Sequence, residues 1–210
     1  MKFVQTFVLV VAVLVISAGG ASAQSYDDAA GGYVKAGLAL GWANANGVIS
    51  NNPAVFLAPD VGTAVGFDIV AGRRVNAWLA FDGELFYVGG ADVKTFPYLL
   101  QTGSATNMGV TGNVRGYPLG AFAPDLIPQW IQPYGTFGMG IGFAEIDNVP
   151  EATNTFGATN ELQFLARFGM GVDVLISDHW GVYVDGNYYI TNKEVITGIG
   201  TMVFGASYRF

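Results

Sequence analysis

The chain has 210 residues, room for one domain and little else. Only 12% of its residues are charged, against about 25% in an average soluble domain, while 51% are hydrophobic, 14% aromatic and 30 are glycine. Nine Lys and Arg against 16 Asp and Glu give a net charge of −7, the opposite of a nucleic-acid footprint. With no cysteine, disulfides, thiolate catalysis, thiolate metal sites and an acylated N-terminal cysteine are excluded.

The first predicted element is a secretory signal over residues 1–23. Lys2 supplies a positive start, Phe7 through Ile16 an apolar core, and Ala21-Ser22-Ala23 a small-residue cleavage site. The mature chain is expected to begin at Gln24 and to form one domain over residues 24–210. After Ala23 no apolar run is long enough for a transmembrane helix, which needs roughly 18 residues or more.

From there the chain alternates with period two, the signature of strands. Val34, Ala36, Leu38, Leu40 and Trp42 oppose Tyr33, Lys35, Gly37, Ala39 and Gly41. Val65, Phe67, Ile69 and Ala71 oppose Gly66, Asp68, Val70 and Gly72. Leu79, Phe81, Leu85 and Tyr87 oppose Ala80, Asp82, Glu84 and Phe86. A weaker fourth segment near residues 108–117 sets Val110 and Val114 against Thr111, Asn113 and Arg115. Phe137, Met139, Ile141 and Phe143 follow, against Thr136, Gly138, Gly140 and Gly142. Leu162, Phe164, Ala166, Phe168, Met170, Val172 and Val174 oppose Gln163, Arg167, Gly169, Gly171 and Asp173. The seventh segment sets Val182, Val184, Tyr188 and Ile190 against Tyr183, Asp185, Asn187 and Tyr189. Last, Met202, Phe204, Ala206, Tyr208 and Phe210 oppose Thr201, Val203, Gly205, Ser207 and Arg209.

Eight such segments, each about ten residues long, fit tilted strands crossing a membrane. The apolar face is almost free of charge, and the other face is too small and too sparsely charged to meet bulk water. The predicted fold is therefore all-β, an eight-stranded antiparallel transmembrane β-barrel with the apolar face toward lipid. In lipid the backbone must be fully paired, so the sheet must close.

The connections alternate in length. Residues 73–76 and 177–180 read as short turns, and residues 43–60, 88–107 and 146–160 as long polar loops. Short periplasmic turns and long external loops are the usual asymmetry. Residues 191–194 are short for an external loop, and residues 118–132 are long for a periplasmic turn and rich in Pro and apolar side chains. Trp78, Trp180, Tyr208 and Phe210 are placed at the periplasmic interface, and Trp42, Tyr87 and Tyr188 at the outer one.

With these features the chain resembles the small outer-membrane β-barrels, a group of OmpA-like, OmpX-like and opacity-type surface proteins. It is most similar to the alphaproteobacterial surface barrels of the porin family. The resemblance covers the whole mature chain, but only the barrel part of the OmpA-like pattern is expected here. Its most specific feature is the terminal Tyr208-Arg209-Phe210, preceded by Ala206, Phe204 and Met202. In the family this strand is the signal read by the barrel-assembly machinery. Pro133-Tyr134 followed by Gly138 through Gly142 resembles the family's fifth strand. The resemblance implies outer-membrane lipid and lipopolysaccharide as surroundings, a possible host or surface receptor, and no cofactor.

Chemistry has few candidates. Some outer-membrane barrels are lipid A deacylases with a Ser and a His near the outer rim. The lone His179 falls in a predicted periplasmic turn, so it reads as a solvated histidine and no enzyme is expected. Gly138, Gly140 and Gly142 precede no helix pattern, so packing in a narrow interior explains them better than a phosphate loop.

The inward ions carry more. Lys35, Arg115, Arg167 and Arg209 share the predicted lumen with Asp68, Asp82, Glu84, Asp173 and Asp185. They make either a charged pore or a salt-bridged plug. Eight strands leave an interior that side chains fill, which favours the plug. Within it Arg167 is expected to contact at least one of Glu84, Asp185 and Asp68. Two apolar loop clusters, one with Phe56 and Leu57 and one with Phe96 and Tyr98, are candidate contacts for a partner. They read equally as strand extensions above the membrane or as the loops' own small core. The expected role is a structural barrel displaying surface loops for envelope integrity or adhesion, with a narrow porin-like channel as the alternative.

Overall fold

The computed structural model describes residues 30–45, 56–57, 62–96, 100–122, 126, 128–147, 161–192 and 196–210. The expected signal segment and Tyr98 lie outside them. Among the described residues nine strands form: β1 (Gly31–Ala45), β2 (Phe56–Leu57), β3 (Ala64–Arg74), β4 (Leu79–Phe96), β5 (Leu100–Gly116), β6 (Ile131–Asp147), β7 (Glu161–Leu175), β8 (Trp180–Thr191) and β9 (Ile196–Arg209). A short helix, α1 (Pro118–Phe122), follows β5.

The eight long strands pair antiparallel around a closed ring, with β1 against β9 and β4 against β5 completing the circle. Closure removes every sheet edge inside the membrane, where an unpaired backbone group would cost several kcal/mol. At the seam, Gly32 and Phe210 exchange two backbone hydrogen bonds of 3.0 Å.

Side-chain parity follows the alternation. Leu38, Phe67, Met139, Phe164, Met170 and Phe204 face outward, while Lys35, Asp68, Glu84, Arg115, Arg167 and Asp185 are buried inside. Phe67 stacks on Tyr87 and Phe137 packs against Phe168 across neighbouring strands on the lipid face, the pairing that stabilises a sheet laterally.

The strands are longer than the pattern marks, from 11 residues in β3 to 18 in β4. The expected loop over residues 88–107 is mostly sheet: β4 runs to Phe96, and β5 starts at Leu100 rather than near Met108. Beyond the barrel body this hairpin takes up β2, with Phe56 opposite Phe96 and Leu57 opposite Thr95. Two register shifts along β4, after Val88 and after Val93, absorb the extra length, and Gly90 there has φ of 81°, a conformation that costs glycine nothing. The fourth expected strand is regular against β6 from Ser104 to Gly116.

The short turns are built by their own polar residues. Asn76 Oδ1 accepts hydrogen bonds from the Trp78 and Leu79 amides at 3.0 and 2.8 Å. Ser177 Oγ accepts the Trp180 amide at 3.0 Å. Such side-chain bonds to the backbone fix tight reversals. The described residues of the segment 118–132 include α1, a turn at residues 129–130, and the first residues of β6, which begins at Ile131.

Candidate functional site in the barrel lumen

The inward side chains stack in tiers. At the end with the short turns, Gln132 Oε1 accepts from Arg74 at 2.7 Å and from Arg209 at 3.1 Å. Arg74 also donates to the Ala77 carbonyl and lies over the Tyr117 ring at 4.0 Å. Arg209 sits at this mouth rather than deep in the lumen, its side chain 26% exposed and 3.7 Å from Asp173.

Above this lies a tier centred on two carboxylates. Asp173 pairs with Lys35 at 2.5 Å and accepts the Tyr117 hydroxyl at 3.3 Å. Asp82 accepts from Arg115 Nε at 2.9 Å, from Asn113 at 2.8 Å and from the Tyr33 hydroxyl at 2.6 Å. The Tyr134 ring lies 4.4 Å from Lys35 Nζ and 4.2 Å from the Arg115 guanidinium carbon. Both cations therefore meet an aromatic face as well as an anion, which partly replaces the water they lose.

The next tier contains the expected cluster. Arg167 contacts Glu84 Oε1 at 2.8 Å and Asp185 Oδ2 at 3.9 Å, and donates to Asn187 Oδ1 at 2.8 Å. Glu84 also accepts the hydroxyls of Thr111 at 2.6 Å and Tyr189 at 3.0 Å. Asp68 belongs to the same tier. Its Oδ1 lies 3.5 Å from the Tyr183 hydroxyl.

Toward the long-connection end the interior turns apolar. Phe86 stacks on Tyr189 with centroids 4.2 Å apart, among Val88, Leu165, Ile199 and Val203. Arg115, Arg167 and Asp185 are each 0% exposed. A hole wide enough for water would leave the ions along it accessible. The inward glycines explain how so much fits. A Cβ on Gly138 would lie 1.9 Å from Asn113 Oδ1, and one on Gly171 would lie 2.3 Å from Asp185 Oδ1. These positions stay small so that the neighbours can reach inward.

Alternation alone identified the inward ions but not their partners. It does not reveal the Arg115–Asp82 and Lys35–Asp173 pairs, the four tyrosines around them (Tyr33, Tyr117, Tyr134 and Tyr183), or Tyr189 beside Glu84. The signal for Tyr33, Tyr183 and Tyr189 was their shared parity with the ions. Tyr117 and Tyr134 lie where the pattern was weakest.

The remaining candidates lie at the two ends. Tyr208 packs between Trp180 at 4.9 Å and His179 at 5.9 Å, so the histidine is a turn residue against an aromatic belt. Phe210 lays its ring over Gly32, where a Cβ would come within 2.4 Å of it. Phe56, Leu57 and Phe96 join the β2–β4 pairing. Among the described residues no group of His, Asp or Glu is arranged to hold a metal, and no helix is long and apolar enough to cross a membrane.

Residues 11–210 match the family model of the outer membrane protein beta-barrel domain. The protein belongs to this family. As an outer-membrane barrel it crosses the bilayer with its eight long strands. Solved structures share the fold. Ail, the attachment invasion locus protein of Yersinia pestis, is 17% identical with a TM-score of 0.54, covering 86% of this chain and 99% of that one. OprG of Pseudomonas aeruginosa is 14% identical with a TM-score of 0.54, covering 89% and 99%. Neisserial surface protein A is 14% identical with a TM-score of 0.53, covering 85% and 95%. No curated protein matches the chain.

Proposed function

We propose that this protein is a plugged outer-membrane barrel that reinforces the envelope and presents its long connections to surface partners. The filled lumen carries this reading. Arg115 and Arg167 have no exposed surface and each meets a carboxylate within 2.9 Å. A conducting lumen needs ions that water can reach, whereas these cations are buried against internal carboxylates.

Two further features support display. The β4–β5 hairpin extends past β3, whose pairing with β4 ends at Val65 opposite Gly89. It also extends past β6, whose pairing with β5 ends at Asp147 opposite Ser104. With β2 it makes a small platform that includes Phe56, Leu57 and Phe96, with Tyr98 two residues further along the sequence. The names of two proteins with this fold, an attachment invasion locus protein and a surface protein, point the same way. The partners in this reading are lipopolysaccharide around the barrel, a host or bacterial surface receptor at the platform, and the assembly machinery at Tyr208 and Phe210. No catalytic step or cofactor is assigned.

Liposomes containing the refolded protein test it. They should swell in arabinose no faster than protein-free liposomes. Serine at Phe56, Leu57, Phe96 and Tyr98 together should abolish adhesion of expressing cells while leaving barrel folding intact. Rapid swelling, with adhesion unaffected by the substitutions, would instead support the narrow channel for ions or small solutes.

A further inference from the structure

Two described connections at the short-turn end are four residues long, 75–78 and 176–179, whereas the third spans residues 117–130. A connection of that length in water would be expected to be polar. In this one Phe122 is 88% exposed, Leu126 70% and Trp130 50%. Its single charged residue is Asp125, and it holds no base. Exposed apolar side chains concentrated in this way mark a surface that something covers.

What covers them follows from where the connection is fastened. The Tyr117 amide donates to the Trp78 carbonyl at 2.8 Å, and the Leu175 amide donates to the Trp130 carbonyl at 2.8 Å. Both ends are thus tied to the neighbouring short turns. Those turns carry the lipid-facing belt to its lower limit. Ile176 continues the outward parity of Met170, Val172 and Val174, and Trp180 at the end of the same turn and Trp78 in the β3–β4 turn are exposed. The connection is continuous with a surface already in contact with lipid, at the depth where Trp is favoured for its apolar body and polar edge.

We propose that Phe122, Leu126 and Trp130, described residues of the connection between β5 and β6, act as an interfacial anchor that inserts into the lipid leaflet at the short-turn end, the periplasmic leaflet. The anchor is also wired to the mouth of the lumen. Gln132 Nε2 donates to the Gln129 carbonyl at 3.0 Å, while its Oε1 holds Arg74 and Arg209. Lipid contact at one end of this segment therefore steadies the arginine pair that closes the lower mouth.

Nitroxide labels test the proposal directly, because the chain has no native cysteine. The protein would be refolded into phosphatidylcholine liposomes with Phe122→Cys or Leu126→Cys. Met139→Cys, on the lipid face, and Asp178→Cys, in an exposed turn, serve as references. An interfacial anchor gives an oxygen-to-nickel-chelate collision ratio clearly above that of Asp178→Cys and below that of Met139→Cys. A ratio equal to that of Asp178→Cys puts the segment in water and overturns the proposal. Low collision with both reagents means a protein covers it, and overturns the proposal equally. If a cysteine variant fails to insert, Trp130 reports instead, with Trp42, Trp78 and Trp180 changed to Phe. Bromine on the acyl chains should then quench its emission, and quenching by aqueous iodide in its place would count against the anchor.

Discussion

Arg167 on β7 and Glu84 on β4 meet at 2.8 Å across the lumen, although β5 and β6 stand between their strands. Lys35 on β1 and Asp173 on β7 do the same from the other side, at 2.5 Å. These contacts span the barrel and do not merely line its wall. Each ion is buried, so each depends on its partner for the solvation it has lost.

Removing one partner should therefore be costly. Arg167→Ala leaves Glu84 and Asp185 buried without their cation, and should lower the unfolding free energy by about 3–5 kcal/mol. Urea titration of the refolded protein measures it. Adding Glu84→Gln should cost less than the sum of the two single changes, because the orphaned charge is gone. Strict additivity would mean that water, not Arg167, solvates Glu84.

Packing makes a second demand that needs no charge. Gly138→Ala drives a Cβ into Asn113 Oδ1 and the Gly112 carbonyl, whereas a Cβ on Gly112 meets nothing within 4 Å. The first change should destabilise by about 1–3 kcal/mol and the second should be nearly silent. Equal unfolding midpoints for the two variants would show that the interior has slack.

On the opposite face, Phe168 is 48% exposed and packs against Phe137. Phe168→Arg puts a charge into hydrocarbon and should cost about 2–4 kcal/mol if the site lies near the midplane. The comparison to make is unfolding in liposomes, where the penalty applies, with unfolding in a detergent whose micelle adapts to the charge.

Much of this was legible in the sequence, for a physical reason that also sets the limit. Lipid on one side and a packed lumen on the other impose period two on every membrane-crossing residue, so the parity of Leu162, Phe164, Phe168 and Met170 reads directly. Above the bilayer that constraint lapses. Residues 88–107 lose their alternation and contain Gly89-Gly90, and so read as a loop, yet residues 88–96 and 100–107 continue as β4 and β5 through a bulge. Parity also says which ions point inward but not at what height they meet, because height depends on strand tilt and stagger around the whole ring. That is why parity groups Asp68 with Arg167 and Glu84 but does not show that its Oδ1 lies 3.5 Å from the Tyr183 hydroxyl. It is also why the Lys35–Asp173 pair could not be assigned beforehand.

The C-terminus separates assembly from stability. Phe210 exchanges two backbone hydrogen bonds with Gly32 at the seam of the barrel. Deleting it removes about 1–3 kcal/mol from the finished fold. The larger effect is expected in cells, where outer-membrane levels should fall because the assembly signal is gone. Quantitative blotting of membrane fractions, set against the stability of refolded protein, distinguishes the two. Undiminished levels in the outer membrane would show that Phe210 is not read.

The central claim is that the lumen is closed by its own ion pairs, and planar-bilayer conductance tests it most directly. The refolded protein should insert and yet give no steady single-channel current. A reproducible open level in the unmodified protein, scaling with salt concentration, would mean that water and ions pass Arg167, and would contradict the plug.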